Sequence, residues 1–346
     1  MITIRDYDIK EMTEVIGEFG EKPFRARQLF EWVHKKRVSS FDEMSNLSKA
    51  LRERLSEQYI VDPLRVLKKQ ESADGSTKKY LFELPDGETI ESVWMRYRHG
   101  DSICVSSQVG CRMGCTFCAS TLQGRVRDLT PGEMLSQIYD IERNVSHISS
   151  IIIMGMGEPL DNYDNVIRFI RLLTDENGRN LSARSITLST CGIPDGIRRL
   201  ADEELPITLA LSLHAPNDRL RQTIMPIAKK YPLDEVLVAC GYFFKKTGRR
   251  VTFEYSLMRG VNDSDAASGE LSDLCRRLQK NGMPVHVNLI PLNEVKERKL
   301  TRSSGDNIQS FKKTLEKNGI NVTIRREMGH EIDAACGQLR RAYAEA

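Results

Sequence analysis

From about residue 100 onward, short apolar runs alternate with amphipathic helical stretches, and few folds accommodate that pattern. The strand-like runs are SICVSSQ, HISSIIIMGMGEP, SITLSTCG, ITLALSLHAP, VTFEYSLMRG, VHVNLIPLN and NVTIRRE. Between them lie DNYDNVIRFIRLLTD, DGIRRLADE, LDEVLVACGYFFKK, ASGELSDLCRRLQKNG and NIQSFKKTLEKNG. In the first of these helices Val166, Phe169, Ile170 and Leu173 share one side. Roughly six βα units result, so the chain is α/β, built as a βα barrel or a doubly wound sheet. Polar residues recur just after strand ends: Gly157–Glu158, Ser189, Ser212–His214 and Asn293. In a barrel, that rim carries the active site.

Upstream, residues 65–108 read as β structure, with a turn at Pro85–Asp86–Gly87. The first sixty or so residues read as helical. In KPFRARQLFEWVHKK, Pro23 suits a first helical turn, and Phe24, Leu29, Phe30 and Val33 can form one apolar face. Lys22, Arg25, Arg27, Lys35, Lys36 and Arg37 against Glu21 and Glu31 leave residues 21–37 at 6 − 2 = +4. That charge is either a solvated face or an RNA-contacting one. The organisation expected is a helical unit over 1–62, a β-rich connector over 63–100 and a core over 101–346.

The chain has 346 residues, 40% hydrophobic and 29% charged, with 51 − 48 = +3 net charge, enough to bury a full core. A nucleic-acid partner is permitted but not demanded. The aliphatic run Ile151–Met154 is far shorter than the ~20 residues a membrane helix needs. MITIRDYDIKEMTE has no apolar signal region, so a reducing cytoplasm is expected, with no membrane association.

In that compartment eight cysteines point to metal or catalysis, not to a disulfide framework. CRMGCTFC places Cys111, Cys115 and Cys118 as C-x₃-C-x₂-C. Three thiolates on a tight loop suit an iron–sulfur cluster with one iron left open. A structural zinc site normally closes four ligands, and no second pair is present here. Zinc and ordinary burial remain as alternatives. Cys191, Cys240 and Cys275 read as buried thiols. Taken alone, Cys104 and Cys336 would also be buried thiols, Glu91 a surface carboxylate and His214 a hydrogen-bonded structural histidine. Cys336 sits in the small-residue stretch Ala334–Gly337, where a substrate could approach closely.

The C-x₃-C-x₂-C spacing, with Phe117 beside the last cysteine, resembles the radical S-adenosylmethionine superfamily, and MGMGEP at 154–159 resembles its GGEP motif. The segments CVSSQVGCRMGCTFCAST, MGMGEPL, ITLSTCG, LALSLHAP, LIPLN and EIDAACGQL, in that order, resemble the RlmN/Cfr family of rRNA adenine methyltransferases, and the RlmN branch in particular. KPFRARQLFEW extends the likeness to the N-terminus.

The resemblance implies an incomplete (β/α)6 barrel with a small N-terminal helical RNA-binding domain. It implies a [4Fe-4S] cluster on Cys111, Cys115 and Cys118, and S-adenosylmethionine contacted by Gly157, Glu158, Ser189, Ser212, Leu213, His214 and Asn293. Cys336 corresponds to the cysteine that carries the methyl group, Cys104 to the one that resolves the adduct through a transient disulfide, and Glu91 to a proton acceptor. The implied substrates are adenine 2503 of 23S rRNA and adenine 37 of tRNA, methylated at C2, with flavodoxin or ferredoxin as electron donor. C8 methylation of the same rRNA adenine is the Cfr-type alternative. A metal-containing RNA-binding protein without catalysis is the alternative from another class. C2 and C8 of adenine are electron-poor carbons, so a polar methyl transfer is unfavourable and a radical route through a cofactor is chemically sensible.

Overall fold

The computed structural model describes residues 2–98, 100–145 and 148–341. Ten strands form one sheet: β1 (Arg65–Glu71), β2 (Thr77–Glu83), β3 (Thr89–Tyr97), β4 (Gly100–Cys104), β5 (Ile148–Ile153), β6 (Ile186–Thr190), β7 (Thr208–Ser212), β8 (Val251–Leu257), β9 (Val285–Pro291) and β10 (Asn321–Ile324). Their spatial order is their chain order. Strands β4 to β10 run parallel. β1 to β3 add antiparallel on the β4 side, so the expected connector is an extension of the same sheet. The strand expected from His147 is described from Ile148 on; His147 itself, and residues 342–346 of the expected core, lie outside the described residues.

Six helical crossovers join the seven parallel strands. They are α4 (Pro131–Glu142), α5 (Tyr163–Thr174), α6 (Pro194–Asp202), the pair α7 (Asp218–Ile224) and α8 (Leu233–Thr247), α9 (Asp265–Lys280) and α10 (Gly305–Lys317), after α1 (Ile9–Glu18), α2 (Phe24–Phe30) and α3 (Lys49–Gln58) of the N-terminal unit. Every residue of β8 is buried, as a strand covered on both faces requires. Among the described residues no ladder joins the edge strands β1 and β10 to each other, so the sheet is open there. It is nevertheless curled: Arg325, just after β10, reaches the Met154 sulfur just after β5 at 3.6 Å.

Helix α4 is absent from the sequence reading. Thr130 caps it, accepting from the Glu133 amide while the Glu133 carboxylate accepts from the Thr130 amide, and Pro131 opens its first turn. Residues 131–141 are all buried, because the N-terminal unit packs on the side away from the sheet. Arg5 is fully buried at that junction, pairing with Asp62 at 3.0 Å and donating to the Ser136 hydroxyl at 2.7 Å. The N-terminal unit is helical as expected, but Phe24 departs from the expected apolar face. It is half exposed, with the Arg25 guanidinium over its ring.

Candidate active site

The carboxyl ends of the parallel strands open into a cavity of about 930 Å³. Its walls combine the cysteine loop with residues that follow β5 to β10. Cys111, Cys115 and Cys118 all line it, between the short strand Gln108–Gly110 and the turn Ala119–Thr121. Gly110 must be glycine: its φ is +74°, and a Cβ there would fall 1.9 Å from the Gly124 carbonyl oxygen. Burial pushes the Cys111 thiol up to about 12, and burial with neighbouring thiols also raises Cys115 and Cys118. Such thiols ionise only when a metal replaces the proton.

Three thiols on one loop, all lining one cavity, fit an iron–sulfur cluster with one iron left open. The cavity also holds an orphaned acceptor. Asn293 donates to the Cys336 carbonyl at 3.1 Å, while its buried Oδ1 has no partner among the described residues.

Gly157 has φ +105°, and a Cβ on it would meet the Gln108 side chain at 2.7 Å. The next residue, Glu158, is buried and accepts from the amides of Cys191 at 2.7 Å and Leu160 at 3.1 Å. It therefore ties the ends of β5 and β6 together. Ser189 and Ser212 face each other across β6 and β7, Oγ to Oγ at 3.4 Å, and both line the cavity. His214 adopts φ +54° and accepts the Ser256 amide on Nδ1 at 3.0 Å, which leaves the proton on Nε2. Burial and Arg221 lower its pKa to about 3, so the ring is neutral. It stands edge-on to Phe117 at 4.8 Å. Leu213 differs from the other expected contacts: its side chain lies in the core and lines no described cavity.

A second cavity, of about 540 Å³, adjoins the first. Cys104 lines only this one, with Met95 and Tyr97 of β3. Cys336 lines both, as do Met154, Ile290, Asn293 and Arg325. The Cys104 and Cys336 thiols are free. Burial, then the nearby Cys336, pushes Cys104 up to about 12. Cys336 is carried by a strap, residues 329–341, stitched over the sheet. The Ala119 amide donates to the Gly337 carbonyl at 2.7 Å and the Ser120 hydroxyl to the Leu339 carbonyl at 2.7 Å.

Glu91 lines neither cavity. It is buried beneath the strap, 3.0 Å from Lys79 Nζ, and is not the surface carboxylate that its residue type suggests. Arg325 stands between the two cavities, 3.8 Å from Glu254, with the nearby Cys336 raising its pKa. Its position directly after a strand is the signal that could have found it. Cys240 and Cys275 are fully buried as expected; Cys191 is buried at the cavity wall.

A curled parallel sheet with a three-cysteine loop at its carboxyl rim defines a radical S-adenosylmethionine protein, and residues 105–271 match the radical SAM superfamily. Residues 2–61 match the family described as the ribosomal RNA large subunit methyltransferase N-terminal domain. Two relatives described as probable dual-specificity RNA methyltransferase RlmN are similar along the whole chain. The one from Lachnospira eligens is 54% identical, covering 100% of this chain and 97% of its own. The one from Lachnoclostridium phytofermentans is 54% identical, covering 99% and 96%. A crystal structure of a radical SAM methyltransferase from Sphaerobacter thermophilus superposes with a TM-score of 0.95 at 42% identity, covering 98% of this chain and 99% of that one. The chain belongs to the RlmN family of radical SAM RNA methyltransferases. Among the described residues, no helix is long and apolar enough to cross a membrane.

Proposed function

We propose that this chain methylates C2 of adenine 2503 in 23S rRNA and C2 of adenine 37 in tRNA, in the cytoplasm, through a methyl group carried on Cys336. One observation carries the reading: Cys336 stands on the wall common to both cavities, so one sulfur borders the cofactor side and the base side. A [4Fe-4S] cluster held by Cys111, Cys115 and Cys118, with S-adenosylmethionine bound, would supply the methyl group and the carbon radical that activates it. Around that cofactor, Gly157 and Glu158 fix the loop after β5, and Ser189 and Ser212 offer hydroxyls. Neutral His214 offers an Nε2–H donor, and Asn293 offers its unpartnered oxygen. Leu213 contributes through its backbone alone. The second cavity receives the extruded adenine, as an enzyme that works on an edge carbon requires. Cys104 there attacks the Cys336 sulfur of the covalent Cys336–methylene–base adduct: the S–S bond forms as the sulfur–carbon bond breaks, the carbon keeps the electron pair and takes up a proton, and the methylated base leaves. Glu91 accepts the proton removed from the base, which requires the strap above it to shift.

Anaerobic turnover on an rRNA fragment by wild type and Cys336→Ala tests this reading. The expected result is product from the wild type only, with the cluster absorbance retained in both. Deuterium placed at C2 should be lost and deuterium at C8 kept; the opposite pattern assigns Cfr-type chemistry. A wild type that holds no cluster and cleaves no cofactor overturns the reading in favour of a non-catalytic RNA-binding protein. RNA affinity is assigned to the N-terminal unit, residues 1–62. Because Arg5 anchors that unit on α4, its removal would expose the buried face of α4. Charge reversal at exposed Lys22, Arg27 and Lys35 is the cleaner test.

A further inference from the structure

The loop Cys111–Cys115 has two faces. Its inner face lines the 930 Å³ cavity through Cys111, Met113 and Cys115. Its outer face, through Arg112 and Met113, lines a separate open groove of about 1140 Å³. Met113 belongs to both, so the partition there is one residue thick. The groove floor is apolar, formed by Met113, Leu160, Ile193, Pro226 and Ile227. Arg112, Lys229 and Lys230 rim it, against one carboxylate, Asp161, which Arg112 and Gln108 already occupy. Lys229 and Lys230 are exposed and make no ion pair among the described residues; Lys230 lies 4.9 Å from the Tyr231 ring.

We propose that this groove docks an acidic one-electron carrier protein, and that the thin outer wall of the cysteine loop is where its electron enters. The inference rests on the reading under Proposed function, in which a sulfonium must be cleaved by one added electron. The carrier is oxidised by one electron and the group held by the three cysteines is reduced by one. No proton moves and no bond forms at the docking surface. An apolar centre inside a cationic rim suits a transient partner of opposite charge. Nucleic acid fits the groove less well. Its floor offers phosphates nothing, and the groove shares no residue with the cavity that holds Cys104.

The test compares wild type with Lys229→Glu/Lys230→Glu, which lies outside both cavities. Reconstituted enzyme is driven either by reduced flavodoxin or by dithionite, and 5′-deoxyadenosine is measured across ionic strengths. Flavodoxin binding to the holoenzyme is measured directly by interferometry. We expect flavodoxin affinity and flavodoxin-driven cleavage to fall by about tenfold or more at low salt, the wild type's salt dependence to flatten, and dithionite-driven cleavage to stay unchanged. Unchanged flavodoxin binding overturns the docking assignment while leaving the radical reading intact, and so does a loss of RNA affinity alone. Equal loss with both reductants also overturns it, since the lysines would then act on the site itself. A wild type that cleaves nothing with dithionite instead fails the underlying reading.

Discussion

The Glu91 carboxylate accepts the backbone N–H of Arg340 at 2.9 Å, tying β3 to a strap 249 residues further along the chain. Its other oxygen is 3.0 Å from Lys79, whose ammonium also donates to the Asp333 carbonyl at 3.2 Å. Both ends of the segment that bears Cys336 are thus held by one buried ion pair. A buried pair of this kind is weak evidence for net stability, but losing one partner leaves an uncompensated charge.

The strap should therefore loosen when Glu91 cannot accept. A hydrogen bond to a charged group contributes about 1.5–3 kcal/mol. Glu91→Ala should speed hydrogen exchange at the Arg340 amide by at least about tenfold. Glu91→Gln keeps an acceptor oxygen and should leave that amide protected, while losing the proton-accepting role. Unaltered Arg340 exchange in the alanine variant would remove the strap-anchoring role.

Removal of Cys104 should stall the reaction late. If its thiol resolves the adduct, Cys104→Ala should trap RNA covalently on the protein, seen as a band that survives a denaturing gel and disappears with Cys336→Ala. The two thiols share the walls of one cavity and are free. A Cys104→Ala enzyme that releases methylated RNA at the normal rate would sink the assignment.

The parts of the site that the sequence revealed are those where chemistry dictates residue type locally. The C-x₃-C-x₂-C loop is one, and the polar residues at strand ends are another, because strand alternation places them on the same rim. Leu213, one residue past the end of β7, turns its side chain into the core, a direction that its residue type and spacing do not mark. Helix α4 was missed because burial on all sides erases the amphipathic period on which the reading depends. The placement of Glu91, Lys79 and Arg325 was equally hidden, since Arg340 lies 249 residues from Glu91, Asp333 254 from Lys79 and Met154 171 from Arg325. Long-range pairing of that kind leaves no local pattern.

Acid should destabilise the fold below pH 6.5. His34 and His214 are buried and neutral, each lowered to about 3 by desolvation, with nearby arginines adding to the effect. In the unfolded chain both bind protons near the ordinary value of 6.5. Their contribution is therefore present above pH 6.5 and lost as pH falls toward 3. At pH 5 each should cost about 2 kcal/mol. His34 rests on the Phe30 ring and accepts from or donates to the Tyr139 hydroxyl at 3.2 Å. Replacing it with phenylalanine should flatten the fall of Tm between pH 6.5 and 5 while lowering Tm at neutral pH; an unchanged slope would mean that His34 does not contribute.

Gly157 offers the sharpest separation of cofactor binding from cluster assembly. Alanine there meets two penalties: a φ of +105° that side chains rarely adopt, and contact at 2.7 Å with Gln108. Gln108 cannot retreat freely, because its Oε1 accepts the Glu158 amide at 2.8 Å and its Nε2 donates to Asp128 and Asp161. Displacing it shifts Glu158 and the loop after β5, but not the thiols of Cys115 and Cys118. Gly157→Ala should thus keep its cluster absorbance yet bind S-adenosylmethionine at least about tenfold more weakly, a cost of 1.4 kcal/mol or more. Gly260→Ala is the control. It carries a positive φ but nothing within 4 Å of the new methyl, so it should lose only the ~1 kcal/mol of backbone strain and leave cofactor affinity intact. Equal affinity in the two variants would show that the loop after β5 does not hold the cofactor.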